Sequence, residues 1–197
     1  MAKAAADRPT ATPVVNGTPQ LACHARRLLR RVMPVLQLQE FRTALTSGSR
    51  LLGLDLGEKT IGVAVSDSLL AVATAVGTIQ RKKLAVDLAA LREIMSERGV
   101  GGLVIGLPLN MDGSEGPRCQ SVRQFARNLL AQMDLPIAFW DERLSTVAVT
   151  RPMLEADLTR GKRARAVDRL AATYILQGAL DAMGAAAARH STATERS

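Results

Sequence analysis

The sequence predicts an α/β domain built on a mixed five-stranded sheet, an antiparallel hairpin and meander followed by parallel strands, with helices flanking it. Three observations carry this. Residues 51–66 contain two strand-like apolar runs joined by a short turn. Beyond residue 80, stretches with helically spaced apolar residues alternate with short, nearly continuous apolar runs, as strands covered on both faces require. A chain of 197 residues, 47% hydrophobic and 22% charged, can bury one sizeable core but hardly two.

Residues 1–32 read as a disordered N-terminal extension or a misassigned upstream start: 1–20 are rich in Ala, Thr and Pro without hydrophobic periodicity, and Leu21–Arg31 is a short basic segment that could form a helix. An Arg-rich transit segment is a further reading that the prolines oppose. Residues 33–49 form a short appendage in which Leu36, Leu38, Phe41 and Leu45 can pack on the core. The main domain spans 50–184, and 185–197 read as a disordered C-terminal tail. Within the domain, Leu51–Leu56 and Ile61–Ser66 are strands joined by Gly57-Glu58-Lys59-Thr60, with a third strand around Ala73–Ile79. Leu84–Arg98 carries apolar residues at 84, 88, 91 and 95 and stops at Gly99, as a helix does. Leu103–Leu107 is a buried strand ended by Pro108. Residues 117–133 make a second helix with Cys119, Val122, Phe125, Ala126, Leu129 and Met133 inward and Pro117 in its first turn. Ile137–Trp140 is another strand, and Ala166–Met183 the closing helix.

A formal charge of +8 suggests a polyanionic partner, but residues 1–32 supply six basic groups against Asp7 alone, leaving +3 on the other 165 residues. No long apolar run or signal-peptide core is present, so a soluble, cytoplasmic protein without membrane partners is expected. Cys23 and Cys119 show no metal or disulfide spacing and read as reduced thiols.

Function must come from particular residues. Asp55 lies within an apolar strand, where an unpaired carboxylate costs several kcal/mol, and Gly53 and Gly57 leave room beside it for a metal ion or phosphate. As a structural residue it would cap the turn. Asp141 and Glu142 follow directly on a strand, and adjacent strand residues point to opposite faces, so one of the two faces Asp55. Their structural alternative is pairing with Arg143 and capping a following helix through Ser145 or Thr146. Asp168 continues the stripe of Ala171, Ala172, Ile175 and Ala179; alternatively it is a first-turn acid or a partner of Arg165. Three carboxylates on different elements are the ligand inventory of a hard divalent cation, Mg²⁺ or Mn²⁺. The candidate catalytic residues are therefore Asp55, Asp141, Glu142 and Asp168, with Asp55, Glu142 and Asp168 as metal ligands. Two loops could hold substrate: 108–113, with Asn110, and the basic run 160–165, with Lys162, Arg163 and Arg165. Lys59 and Arg143 complete the candidate nucleic-acid contacts. Aromatics are few and core-like, which favours backbone contact to a structured substrate over base stacking.

Four segments, Leu52–Asp67, Gly106–Gly113, Asp141–Thr146 and Val167–Ala172, together resemble the YqgF-type pre-16S rRNA nuclease family, related to RuvC Holliday junction resolvases. The resemblance covers about Arg50–Asp181. It implies a ribonuclease-H-like fold and a metal-dependent endonuclease acting in 5′-end processing of precursor 16S rRNA, with junction DNA as the alternative substrate. Its acidic site falls on Asp55, the Asp141-Glu142 pair and Asp168. Cleaving a junction calls for a two-fold dimer, whereas an rRNA nuclease can be a monomer. A non-catalytic RNA- or ribosome-binding protein is a second class. An actin-like or sugar-kinase-like ATPase also opens on a G-x-D-x-G strand, but needs a second domain for which this chain has no room. The extension before Met33, and Pro152 where a helix should run, depart from the family pattern.

Overall fold

A computed structural model describes residues 35–144 and 160–194. Along the chain these form β1 (Val35–Leu36), α1 (Leu38–Ala44), β2 (Arg50–Leu56), β3 (Thr60–Ser66), β4 (Ala73–Gln80), α2 (Leu84–Arg98), β5 (Val100–Leu107), α3 (Pro117–Gln132), β6 (Ile137–Asp141), a 3₁₀ turn (Glu142–Leu144) and α4 (Arg160–Thr194). The expectations for residues 1–34, Ser145, Thr146 and Pro152 lie outside the described residues.

The sheet runs β1-β6-β5-β2-β3-β4. β2, β3 and β4 form an antiparallel meander, while β5 joins β2, β6 joins β5 and β1 joins β6 in parallel. This is the expected ribonuclease-H-like arrangement with six strands rather than five. The additional strand is a two-residue edge piece within the 33–49 segment, too short to show any periodicity.

Strand alternation divides the core in two. Leu52, Leu54 and Leu56 of β2 face α2 and α3, packing with Leu88, Leu91, Val122, Phe125 and others. On the other face, Leu51, Ala64, Val104 and Ala138 meet Phe41 of α1 and Ala172, Ile175, Leu176 and Ala179 of α4. Each fully buried leucine contributes about 1.5–3 kcal/mol, so these faces specify the register. α2 ends as expected at Gly99, whose left-handed conformation (φ 63°, ψ 44°) lets its N–H donate to the Met95 carbonyl.

The closing helix is longer at both ends than expected, and residues 160–165 are its opening turns rather than a loop. Arg, Lys and Ala are strong helix formers, and one glycine costs only about 1 kcal/mol. Among the described residues, no helix is long and apolar enough to cross a membrane.

Candidate active site

Asp55, half-buried, sits near the C-terminal end of the central strand β2. It lies opposite Gly62 of β3, and the pairing of Leu54 with Ile105 places Gly106 of β5 on its other side. Positions directly across a ladder share a face, so the space above both glycines adjoins the Asp55 side chain. A Cβ on Gly106 would lie 2.6 Å from Glu142 Oε1 and 2.5 Å from Ile175 Cδ1. A Cβ on Gly62 would overlap the Asp168 carbonyl, whose carbon is 2.8 Å away. The two gaps flanking Asp55 are thus filled by the Glu142 carboxylate and by the backbone of Asp168. The Asp168 side chain is itself anchored: Thr60 Oγ1 donates to its Oδ2 at 2.7 Å.

Asp141 does not join this group. It pairs in register with Leu107, which packs on the α2–α3 face, whereas its neighbour Trp140 packs with α4. Its carboxylate instead accepts from the Arg143 backbone N–H at 3.0 Å and from the Arg143 guanidinium at 2.7–3.1 Å. The Arg143 hydrogen bonds hold the Asp141 carboxyl below the usual carboxylate range. Arg143 also donates to the carbonyls of Asn110 (3.5 Å) and Met111 (3.4 Å), tying the 108–114 loop to the end of β6.

The other expected contacts are dispersed. Lys59 is exposed in the β2–β3 turn. The Asn110 amide is spent within its own loop, Nδ2 donating to Ser114 Oγ at 2.9 Å. Lys162, Arg163 and Arg165 lie on α4, their side chains outside the described residues. The room expected at Gly53 and Gly57 is also taken, by Leu176 and Ala172 of α4 and by Thr60. Sequence reasoning missed Thr60, Gly62 and Gly106. The available signal was Thr60, Gly62 and Ala64, small residues at every second position of an apolar strand, a pattern that marks close approach of another backbone.

Among the described residues no three His, Cys, Asp or Glu side chains are gathered into a closed metal cage. The donor chemistry nevertheless fits a hard divalent ion: Asp55 lies between Gly62 and Gly106, with a Glu142 carboxylate oxygen close over Gly106 and Asp168 seated over Gly62. An open set of this kind suits Mg²⁺-like ions, which keep waters and take substrate phosphate oxygens to complete their shell.

A protein of Ruegeria sp. (strain TM1040) named "Putative pre-16S rRNA nuclease" is 61% identical over 145 residues, covering 74% of this chain and 92% of its own. A Rhodospirillum rubrum protein of the same name is 59% identical over 152 residues, covering 77% and 94%. Among solved structures, the yeast mitochondrial Holliday junction resolvase Ydc2 aligns over 87% of this chain and 91% of its own, at 11% identity and a TM-score of 0.46. The RuvX family, described as Holliday junction resolvase, matches residues 49–182, and the chain belongs to it.

Proposed function

We propose that this protein is a metal-dependent endonuclease that hydrolyses phosphodiester bonds in structured RNA, in the 5′-end processing of precursor 16S rRNA in the cytoplasm. The observation that carries the reading is the seating of Glu142 and Asp168 on the two glycines that flank Asp55. Support also comes from nuclease-named relatives about 60% identical that align over more than nine tenths of their own length.

Asp55, Glu142 and Asp168 would hold Mg²⁺ or Mn²⁺, which when bound activates a water and offsets charge on the leaving oxygen. The remaining work falls to the protein. β2 and the turn after β6 fix two carboxylates on adjacent backbone, Thr60 orients the third, and Arg143 keeps the 108–114 loop at the strand ends. Lys59 and the basic opening of α4 would meet phosphates and set the register of the substrate.

The test is cleavage of precursor 16S rRNA by purified protein with Mg²⁺, with Mn²⁺ and with chelator. Metal-dependent trimming at the 5′ side supports the reading, and no cleavage under any condition overturns it. The family description favours a second substrate, four-way DNA. Symmetric nicking of a junction in the same assay, with rRNA left intact, would establish that instead.

A further inference from the structure

On the sheet face away from α4, the end of β2 borders a cavity of about 190 Å³. Leu56, Gly57, Glu58 and Arg81 line it together with residues of α3 that include Arg118 and Ser121. Leu56 directly follows Asp55 and points to the opposite sheet face, so the cavity and the candidate site adjoin the same end of β2 from its two sides.

Arg81 is held in place rather than mobile. Its backbone N–H donates to the Lys59 carbonyl at 2.9 Å, Nη1 donates to the Gly57 carbonyl at 2.7 Å, and the guanidinium lies 6.0 Å from the Phe125 ring centroid. That leaves other N–H donors of the fork for a ligand. Arg118 makes no hydrogen bond or ion pair among the described residues, and Ser121, three residues on, lies on the same side of the helix. The Glu58 carboxylate is outnumbered by these two arginines and the adjacent Lys59. At about 190 Å³ the space is below the roughly 300 Å³ lower bound of small-molecule pockets, a size for one tetrahedral anion rather than a whole nucleotide.

We propose that this cavity holds a backbone phosphate of the nucleic-acid strand whose scissile bond lies at Asp55, with Arg81, Arg118 and Ser121 as its donors. The strand then passes around the β2–β3 turn, and the occupied cavity sets how far from that phosphate the cut falls. The inference rests on the nuclease reading.

The test is fluorescence anisotropy with chelator present, so that binding is read without cleavage, using a labelled RNA hairpin and a labelled four-way DNA junction between about 50 and 200 mM salt. Arg118→Gln should weaken binding about tenfold and lower the slope of log affinity against log salt by about 0.9 for duplex DNA. Arg81→Lys keeps the charge but loses the fork, so it should weaken binding with little change in slope. Arg98→Gln, in the last turn of α2 at the opposite end of the sheet, is the equal-charge control and should match wild type. Weakening confined to the RNA or to the DNA probe identifies the backbone the cavity accepts. A wild-type slope and affinity in Arg118→Gln, or equal losses in Arg118→Gln and Arg98→Gln, would overturn the subsite and leave the nuclease reading standing. Wild-type protein that binds neither probe would overturn both.

Discussion

Replacing Gly62 by alanine tests the seat of α4 on the sheet. The added methyl would meet the Asp168 carbonyl carbon at 2.8 Å and its oxygen closer still, where ordinary contacts are 3.4–4 Å. The obstacle is helix backbone, which cannot swing aside as a side chain can, so α4 must retreat by about 1 Å. Overpacking of this kind costs about 1–3 kcal/mol. For a domain of this size, that lowers the melting temperature by roughly 2–12 °C. The same retreat carries Asp168 off its place beside Asp55, and a misplacement of ~1 Å can cost about 100-fold in rate. Gly77→Ala on β4 is the control, since a Cβ there meets nothing within 4 Å; its stability should be unchanged or slightly raised. The measurements are a calorimetric melt and single-turnover cleavage of precursor rRNA. A Gly62→Ala protein that melts and cleaves like wild type would refute the close seat. One that loses stability but keeps its rate would refute the role of Asp168.

Four further outcomes are expected. Asp55→Asn should abolish cleavage while leaving the melt and much of the substrate binding intact, because it removes charge but not volume; near-normal turnover would sink the mechanism. Glu142→Gln should cost far more activity than Asp141→Asn, and equal losses would contradict the faces assigned to them. Asp141 adds a pH signature. Its pKa is depressed in the fold chiefly by the hydrogen bonds from Arg143, so the pair's contribution is fully present above the ordinary aspartate value, near 4, and is lost as pH falls through the lower folded value. With the pair partly exposed, that contribution is about 1 kcal/mol or less, and Asp141→Asn should erase it from the melting curve's acid limb. Finally, neutralising Lys162, Arg163 and Arg165 together should weaken nucleic-acid binding and flatten its salt dependence, by about 0.9 in slope per phosphate contact on duplex DNA. An unaltered slope would mark the run as a solvated helix face.

Much of this architecture was legible because it is written in spacing. The runs of β2 and β5, the stripe on α3 and the stop at Gly99 each follow from local apolar periodicity or backbone chemistry. The start of α4 was not, since a basic run before an apolar stripe looks the same as loop or helix, and propensity decides only weakly. The rule that one of Asp141 and Glu142 turns toward Asp55 was readable, but which one required the register of β6 on β5. The ties from Thr60 to Asp168 and from Arg143 to Asn110 span 108 and 33 residues, and composition carries no trace of such pairings.

The anchoring of Asp168 by Thr60 also bears on how the protein comes to be active. The β2–β3 hairpin can form locally, but β2 and β5 pair only after the chain between them has closed, and the Thr60–Asp168 bond joins residues 108 apart. Non-local contacts of this kind pay their loop-closure entropy before they return any stabilisation, so they form slowly. Catalytic competence therefore arrives with the docking of the final helix. In a refolding experiment, cleavage should recover with the slowest kinetic phase, well after hairpin and helix signals have reached their native values. On the proposed mechanism, a nascent chain still missing α4 would carry Asp55 and Glu142 without Asp168 and should not cleave RNA.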